Sequence, residues 1–217
     1  MIATYDKVSE TDPHWPYFAR AFESVKASRM EGDYLEFGVC GGASFVVFYS
    51  LAQKYGLKNM RFFAFDGFQG MPETEGNKLE GSASVSREEF TRTIRRVAMD
   101  MRRVRIIEGM FADSLTDSVR QRHNLTSAAI VHIDCDIYVS VKEALRFIEP
   151  IVHPGSIIIF GDWHYFETVY PVEHPEDWGE QKAFREWPLS DFFDEFFDNE
   201  SSRAFVMTDR HPQTGGQ

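Results

Sequence analysis

Carboxylates follow two strongly apolar stretches of the chain, at the point where each stretch ends. Asp134 comes directly after the first stretch, and Asp162 and then His164 come after the second. Burying a carboxylate is costly unless it is paired, so Asp134 needs a cation, a metal or a substrate hydroxyl as its partner. Asp134 and Asp162 could share one Mg²⁺, which prefers oxygen ligands, and His164 could act as a general base. The alternative is structural, with the Asp134 carboxylate bonded to backbone amides.

A turn rich in small residues follows an earlier apolar stretch and could bring the backbone close to a ligand. Glycine permits both the tight turn and the close approach, and a helical pattern begins immediately afterwards. The glycine spacing is not the G-x-G-x-x-G of dinucleotide-binding proteins, and a glycine turn between strand and helix is also common without a ligand. The candidate cofactor-binding residues of this turn are Glu36, Gly38, Val39, Gly42 and Ser44.

An acidic residue ends the next apolar stretch, in the place where a ribose is usually bound. The carboxylate of Asp66 could accept hydrogen bonds from both ribose hydroxyls, or it could serve as a turn residue or helix cap. The adjoining Gly67 and Phe68 belong to the same predicted cofactor site. Phe111, which follows the third stretch, could pack against an adenine.

The alternation of these stretches with helical patterns predicts an open α/β sheet. Several stretches are apolar almost throughout, as strands are when helices cover both faces of a parallel sheet. Repeated βαβ units imply right-handed crossovers, and ligands of such sheets bind beyond the carboxyl ends of the strands. The predicted strands are 34–39, 61–65, 104–108, 128–133, 156–160 and 203–207, and the predicted helices are 43–54, 87–101 and 139–148.

Three segments fall outside this alternation, within what we interpret as one domain over residues 1–217. Within residues 1–31 we predict an added N-terminal helix that begins near Asp12. Residues 165–200 are expected to lie beside the site, on the side where a substrate would bind. Residues 71–86 are polar and could be a flap over the site or a plain surface loop. Near the C-terminus, pairs of phenylalanines alternate with acidic residues over 191–198, which favours a helix packed on the sheet or at a contact within a homo-oligomer.

Composition excludes several classes of protein. With 23 Lys and Arg against 34 Asp and Glu, the formal net charge is −11, whereas nucleic-acid binding depends on clustered cations. No stretch approaches the ~18 apolar residues of a membrane helix, and the first residues lack the apolar core of a signal peptide. Two cysteines cannot form a disulfide framework, which favours a cytoplasmic protein.

Five motifs in register resemble those of the macrocin O-methyltransferase family, whose members methylate sugars during macrolide tailoring with S-adenosylmethionine. Gly161 stands where that family has the first of two aspartates. A metal held by Asp134 and Asp162 would therefore need Asp136, His164 or water as a further ligand. The motifs are GDYLEFGV at 32–39, DGFQGMP at 66–72, GMFADSL at 109–115, DCDIY at 134–138, and PG at 154–155 followed by GDW at 161–163.

The resemblance implies a Rossmann-like class I methyltransferase sheet, mostly parallel with an antiparallel C-terminal strand and with helices on both faces. It implies S-adenosylmethionine as the donor, lying across the glycine turn, Asp66 and Phe111 and beside Asp134. The acceptor would be a hydroxyl of a sugar or of a glycosylated small molecule. Its proton would pass to Asp134 or His164, unless Mg²⁺ lowers the pKa of the hydroxyl.

Two other functions are compatible with this sequence. A nicotinamide-dependent oxidoreductase would use a similar sheet, although its G-x-G-x-x-G motif is absent. A non-catalytic protein could bind the donor alone, or bind a partner through the aromatic segment 191–198.

Overall fold

The computed structural model describes residues 15–209, which contribute seven strands to one sheet. The strands are β1 (Asp33–Phe37), β2 (Phe62–Asp66), β3 (Val104–Glu108), β4 (Ala128–Ile133), β5 (Ile157–Phe160), β6 (Phe193–Asp198) and β7 (Arg203–Met207). They lie in the order β3-β2-β1-β4-β5-β7-β6. Strands β1 to β5 are parallel, and β7 pairs antiparallel with both β5 and β6. The predicted sheet, mostly parallel with an antiparallel C-terminal end, is confirmed.

Helices cover both faces of this sheet. They are α1 (Trp15–Ser28), α2 (Ala43–Lys54), α3 (Arg87–Arg96), α4 (Phe111–Ser114), α5 (Asp117–Arg122), α6 (Tyr138–Ile148), α7 (Tyr165–Thr168) and α8 (Gly179–Glu186), with 3₁₀ turns at Glu149–Ile151, Pro175–Asp177 and Ser190–Phe192. The first three pack on one face, and α6 and α8 pack on the other. Within residues 15–209, every helix is too short or too polar to cross a membrane.

Two helix boundaries differ from the sequence prediction or lie beyond the described residues. The predicted start of the N-terminal helix near Asp12 lies outside the described residues. Helix α3 ends at Arg96 rather than at Met101, because Ala98 adopts a φ of 54° that a right-handed helix cannot contain.

Burial on both faces explains why the parallel strands were readable from sequence. Strands β1, β4 and β5 are buried at every position, and each fully buried Ile or Phe side chain contributes roughly 1.5–3 kcal/mol. A strand that is covered on both faces must be apolar almost throughout. Packing of this core determines where each strand ends, and so determines the positions of the residues that follow the strands.

The aromatic segment near the C-terminus forms a strand, and the predicted helix over 191–198 is wrong. Strand β6 pairs antiparallel with β7, and its register shifts between Glu195 and Phe197. Residues four apart share a face in an unbroken strand, but a β-bulge switches the face. Accordingly, Phe193 packs on one face of the sheet and Phe197 packs on the other. Phenylalanines at a spacing typical of a helix thus pack against both faces of the sheet at its edge.

Candidate functional site

The carboxyl ends of neighbouring parallel strands are aligned closely. The amide of Asp134 donates to the carbonyl of Phe37 at 2.9 Å, and the amide of Gly161 donates to Ile133 at 2.8 Å, so the ladder continues past the strand ends. Gly38 has a φ of +83°, and an added Cβ would lie 2.1 Å from the Asp134 carbonyl oxygen. Only glycine fits there, which is the physical reason for the turn predicted after β1.

A pocket lies at this edge of the sheet, and several predicted donor residues line it. A second cavity of about 300 Å³ adjoins it, and Phe111 lines both. The ring of Phe111 packs edge-on against Phe37, with ring centroids 5.9 Å apart. The predicted residues that line the pocket are Gly38, Asp66, Gly67, Phe111 and Asp134.

The carboxylate of Asp66 fixes the turns that follow β1 and β2. Its Oδ2 accepts hydrogen bonds from the amides of Val39 at 2.8 Å and Cys40 at 3.0 Å. Its Oδ1 accepts from the amide of Phe68 at 2.7 Å. Each carboxylate oxygen can accept more than one hydrogen bond, so these contacts leave capacity for a ligand hydroxyl in the pocket.

Two residues predicted to touch the cofactor lie behind the pocket instead. Glu36 is fully buried and accepts hydrogen bonds from the hydroxyl of Tyr34 and from Ser44 Oγ, the latter at 2.5 Å. His132 Nδ1 lies 3.8 Å from Glu36 Oε1. Glu36 and Ser44 therefore hold strand β1 to helix α2 through a buried polar network.

Three further residues of the predicted cofactor set also support the turns from behind. Val39 is buried in the core beneath α2. An added Cβ at Gly42 would lie 2.9 Å from the ring of Phe90, and the ring of Phe68 packs on Phe90 with centroids 5.8 Å apart. These three residues belong to the turns that follow β1 and β2, but the sequence does not show which side chains point toward the pocket.

Asp134 presents a carboxylate to the pocket. Within the described residues, its side chain accepts no hydrogen bond from another protein group. Burial, together with the negative charges of Asp162 and Glu36, raises the pKa of Asp134 to about 6 although His132 opposes the shift. A carboxylate with this pKa and no protein partner can accept a proton from a bound hydroxyl.

His164 is held away from the pocket by two other carboxylates. Its Nδ1 lies 2.7 Å from Glu167 Oε2, and its Nε2 lies 2.7 Å from Asp198 Oδ1. With both ring nitrogens engaged, His164 links the start of α7 to the end of β6. This geometry does not support the predicted role as general base, which leaves Asp134 as the candidate.

A lysine stands between two carboxylates beside the pocket. The ammonium of Lys78 contacts Asp136 Oδ1 and lies 2.6 Å from Asp162 Oδ2. It also lies 3.7 Å from the ring centroid of Tyr165. Burial alone would lower the pKa of Lys78, but the two carboxylates outweigh burial and hold the pKa above its ordinary value. The two carboxylates therefore favour the charged form of the lysine.

The side chains present do not fit the Mg²⁺ ion that we expected from the sequence between Asp134 and Asp162. Among residues 15–209, no three His, Cys, Asp or Glu side chains converge as metal ligands do. Asp162 is paired with Lys78. The Asp134 carboxylate lies over Gly161, where an added Cβ would be 2.4 Å from Asp134 Oδ1. The space of the aspartate missing at position 161 is thus filled by a neighbouring carboxylate.

The predicted flap over 71–86 lies against the pocket, and Glu75 anchors it. Met71 and Pro72 line the pocket. The carboxylate of Glu75 accepts hydrogen bonds from the amide of Tyr138 at 2.5 Å and from the amide of Gly179 at 2.9 Å. These contacts join the flap to the start of α6 and to the start of α8, which belongs to the predicted acceptor-side segment.

Sequence reasoning missed Lys78 and Glu75 as site residues. One signal was available, because Lys78 is the sole basic residue of 71–86. Its partners Asp136 and Asp162 lie 58 and 84 positions away in the chain, so the sequence alone does not pair them.

Comparison with known proteins places most of the chain in one group. A family model described as macrocin-O-methyltransferase (TylF) matches residues 16–185. A curated relative from Streptomyces olivaceus, named 8-demethyl-8-(2,3-dimethoxy-alpha-L-rhamnosyl)-tetracenomycin-C 4'-O-methyltransferase, is 26% identical over 188 residues, which cover 73% of this chain and 70% of the relative.

Two further comparisons give a second relative and a solved fold. Demethyldecarbamoylnovobiocin O-methyltransferase from Streptomyces niveus is 24% identical over 152 residues, which cover 65% of this chain and 56% of that protein. The chain thus spans less than two thirds of this relative. The solved structure of the O-methyltransferase NovP is similar with a TM-score of 0.71 at 20% identity, covering 89% of this chain and 78% of that chain; it supports the fold.

Proposed function

The chain belongs to the macrocin-O-methyltransferase family, and we propose that it transfers a methyl group from S-adenosylmethionine to a hydroxyl of a sugar or of a glycosylated small molecule. The observation that carries this proposal is the Asp134 carboxylate, which faces the pocket beside Asp66 and has no protein hydrogen-bond partner within the described residues. The names of the two curated relatives, both O-methyltransferases and one named for a substrate that carries a rhamnosyl group, support the acceptor class.

Donor binding is assigned to the ends of β1, β2 and β3. Asp66 keeps about one acceptor site, on Oδ1, for a ribose hydroxyl after its three amide contacts. Phe111 lines both adjoining cavities and offers an aromatic face to the adenine. The backbones of Gly38 and Gly67, which also line the pocket, permit close approach of the donor.

Transfer is then a displacement at the methyl carbon. The donor supplies a methyl group on a positively charged sulfur. Holding an acceptor oxygen in line with that carbon contributes on the order of 7–11 kcal/mol. A sugar hydroxyl is barely acidic, so Asp134 takes its proton as the new oxygen–carbon bond forms and the sulfur–carbon bond breaks. The products are a methyl ether and S-adenosylhomocysteine, with the proton on Asp134.

The test is methyl transfer from labelled S-adenosylmethionine to a panel of nucleotide-linked and aglycone-linked deoxysugars. We expect a methyl ether and S-adenosylhomocysteine in equal amounts on at least one acceptor. Donor binding without turnover on any acceptor would favour the non-catalytic alternative. Binding of NADH in place of S-adenosylhomocysteine would favour the oxidoreductase, and either result would contradict the proposal.

A further inference from the structure

We propose that Lys78, carried on the flap, supplies the positive charge of this site: it lies between Asp136 and Asp162, so that Asp162 is paired with the lysine and not with a divalent metal. Lys78 is a positioning residue in this view, because it acts through the two carboxylates and not on the substrate. The inference rests on the proposed function, since it specifies what stabilises the acidic side of the same pocket.

The ammonium of Lys78 is placed as a bound cation would be. It contacts Asp136 and lies 2.6 Å from Asp162 Oδ2, and only 14% of its side chain is exposed. The ring of Tyr165 covers it, with the ammonium 3.7 Å from the ring centroid, a distance at which a cation is attracted to an aromatic face. Both carboxyl groups are also largely buried and share a hydrogen bond, and burial together with this contact raises the pKa of Asp136. Lys78 opposes that rise and so favours the charged form of the pair.

The backbone that carries Lys78 is anchored. Glu75 and Lys78 exchange two backbone hydrogen bonds of 2.9 and 3.0 Å, and the Glu75 carboxylate is held by the amides of Tyr138 and Gly179. At Gly76, in the same turn, an added Cβ would lie 2.9 Å from the ring of Phe166. The lysine is therefore carried by a tight, packed turn, whereas a lysine on an exposed surface would have a mobile backbone and side chain.

The remaining carboxylate is arranged without a place for a metal. The carboxylate of Asp134 lies over Gly161, and no three-ligand group is found among the described residues. Lys78 lies between the other two carboxylates and offsets their charge. This pairing is next to Gly161, the position at which the family has an aspartate. The same contact draws the flap onto the pocket, because Asp136 is a pocket residue.

The flap also borders the pocket. With Lys78 in place, the pocket between the strand ends and the flap measures about 90 Å³ and adjoins the cavity of about 300 Å³. The ion pairs of Lys78 hold the flap in this position beside the pocket.

Calorimetric titration of the full chain with MgCl₂ tests the inference without needing an acceptor. We expect no measurable Mg²⁺ binding by the wild-type protein, and a gain of Mg²⁺ binding in Lys78→Met. In that variant Asp136 and Asp162 face each other without a cation, and two carboxylates can hold Mg²⁺ while water completes its coordination shell. Adding Asp136→Asn to that variant should remove the gain. Lys78→Arg should bind no Mg²⁺, since it restores the cation. Lys142→Met, which removes an exposed lysine near the site, should behave as the wild type does.

Mg²⁺ binding by the wild-type protein that Asp136→Asn abolishes would overturn the inference, and so would a folded Lys78→Met that gains no Mg²⁺ binding. If Lys78→Met does not fold, the wild-type, Asp136→Asn and Lys78→Arg titrations decide the question: no Mg²⁺ binding by any of them supports it. A parallel titration with S-adenosylhomocysteine separates the two proposals. If the wild-type protein does not bind S-adenosylhomocysteine, the proposed function is contradicted. The Mg²⁺ titrations still test the role of Lys78 in that case.

Discussion

Replacing Asp134 with Asn is expected to reduce methyl transfer by ~10²–10⁴-fold, the usual contribution of a general base. Asn keeps the size of the side chain but cannot take the acceptor proton. The carboxylate has no protein hydrogen-bond partner within the described residues, so the fold loses little with its charge. The rate is measured with an acceptor that the wild-type protein methylates, and S-adenosylhomocysteine affinity is measured alongside it.

The matched control for Asp134 is His164→Gln. His164 was the other predicted base, but Glu167 and Asp198 occupy both of its ring nitrogens, so this variant should keep most of the wild-type rate. Full activity in Asp134→Asn, or a larger loss in His164→Gln than in Asp134→Asn, would contradict the assignment.

The pH dependence gives a second check on Asp134. The base must be deprotonated before transfer, and its pKa is raised to about 6. The wild-type rate is therefore expected to be constant well above pH 6 and to fall as the pH drops through that value. Asp134→Asn should lose this limb of the profile.

Replacing Asp66 with Ala is expected to weaken binding of S-adenosylhomocysteine by ~10–100-fold, which corresponds to the roughly 1.5–3 kcal/mol of a hydrogen bond to a charged group. The variant removes the proposed ribose contact. It also removes the acceptor of three amides that shape the two turns. Calorimetric titration measures the affinity, and chemical denaturation checks that the variant is folded.

The control for Asp66 is Asp113→Ala, which removes an exposed carboxylate from the neighbouring helix α4. Its affinity should match that of the wild type. An unchanged affinity in a folded Asp66→Ala protein would refute the ribose assignment.

Much of the sheet could be predicted because the central parallel strands β1, β4 and β5 are buried on both faces and so are apolar at most positions. The residues that follow these strands were located for the same reason. The direction of individual side chains could not be predicted, as Glu36 illustrates: it belongs to the glycine turn motif, yet it points into a buried network with Tyr34 and Ser44. Strand β6 was not predicted because its phenylalanines have a spacing typical of a helix, and the β-bulge makes this spacing compatible with a strand.

Long-range pairing accounts for the other differences in the site. His164 was expected to be a base because it follows a strand end, but its partner Asp198 lies 34 positions later. Lys78 lies in a polar loop, and only the folded chain brings it to Asp136 and Asp162. The sequence thus indicates which strand ends meet, and the structure is needed to show which cation meets which carboxylate.

The most direct test of the account is a crystal structure of the protein soaked with S-adenosylhomocysteine. We expect the nucleoside in the pocket at the carboxyl ends of β1 to β4. A ribose hydroxyl should lie within hydrogen-bond distance of Asp66, its adenine against Phe111 and its sulfur on the side of Asp134. A ligand bound elsewhere, or a ligand in the pocket with its ribose remote from Asp66, would contradict the assignment of this pocket as the donor site.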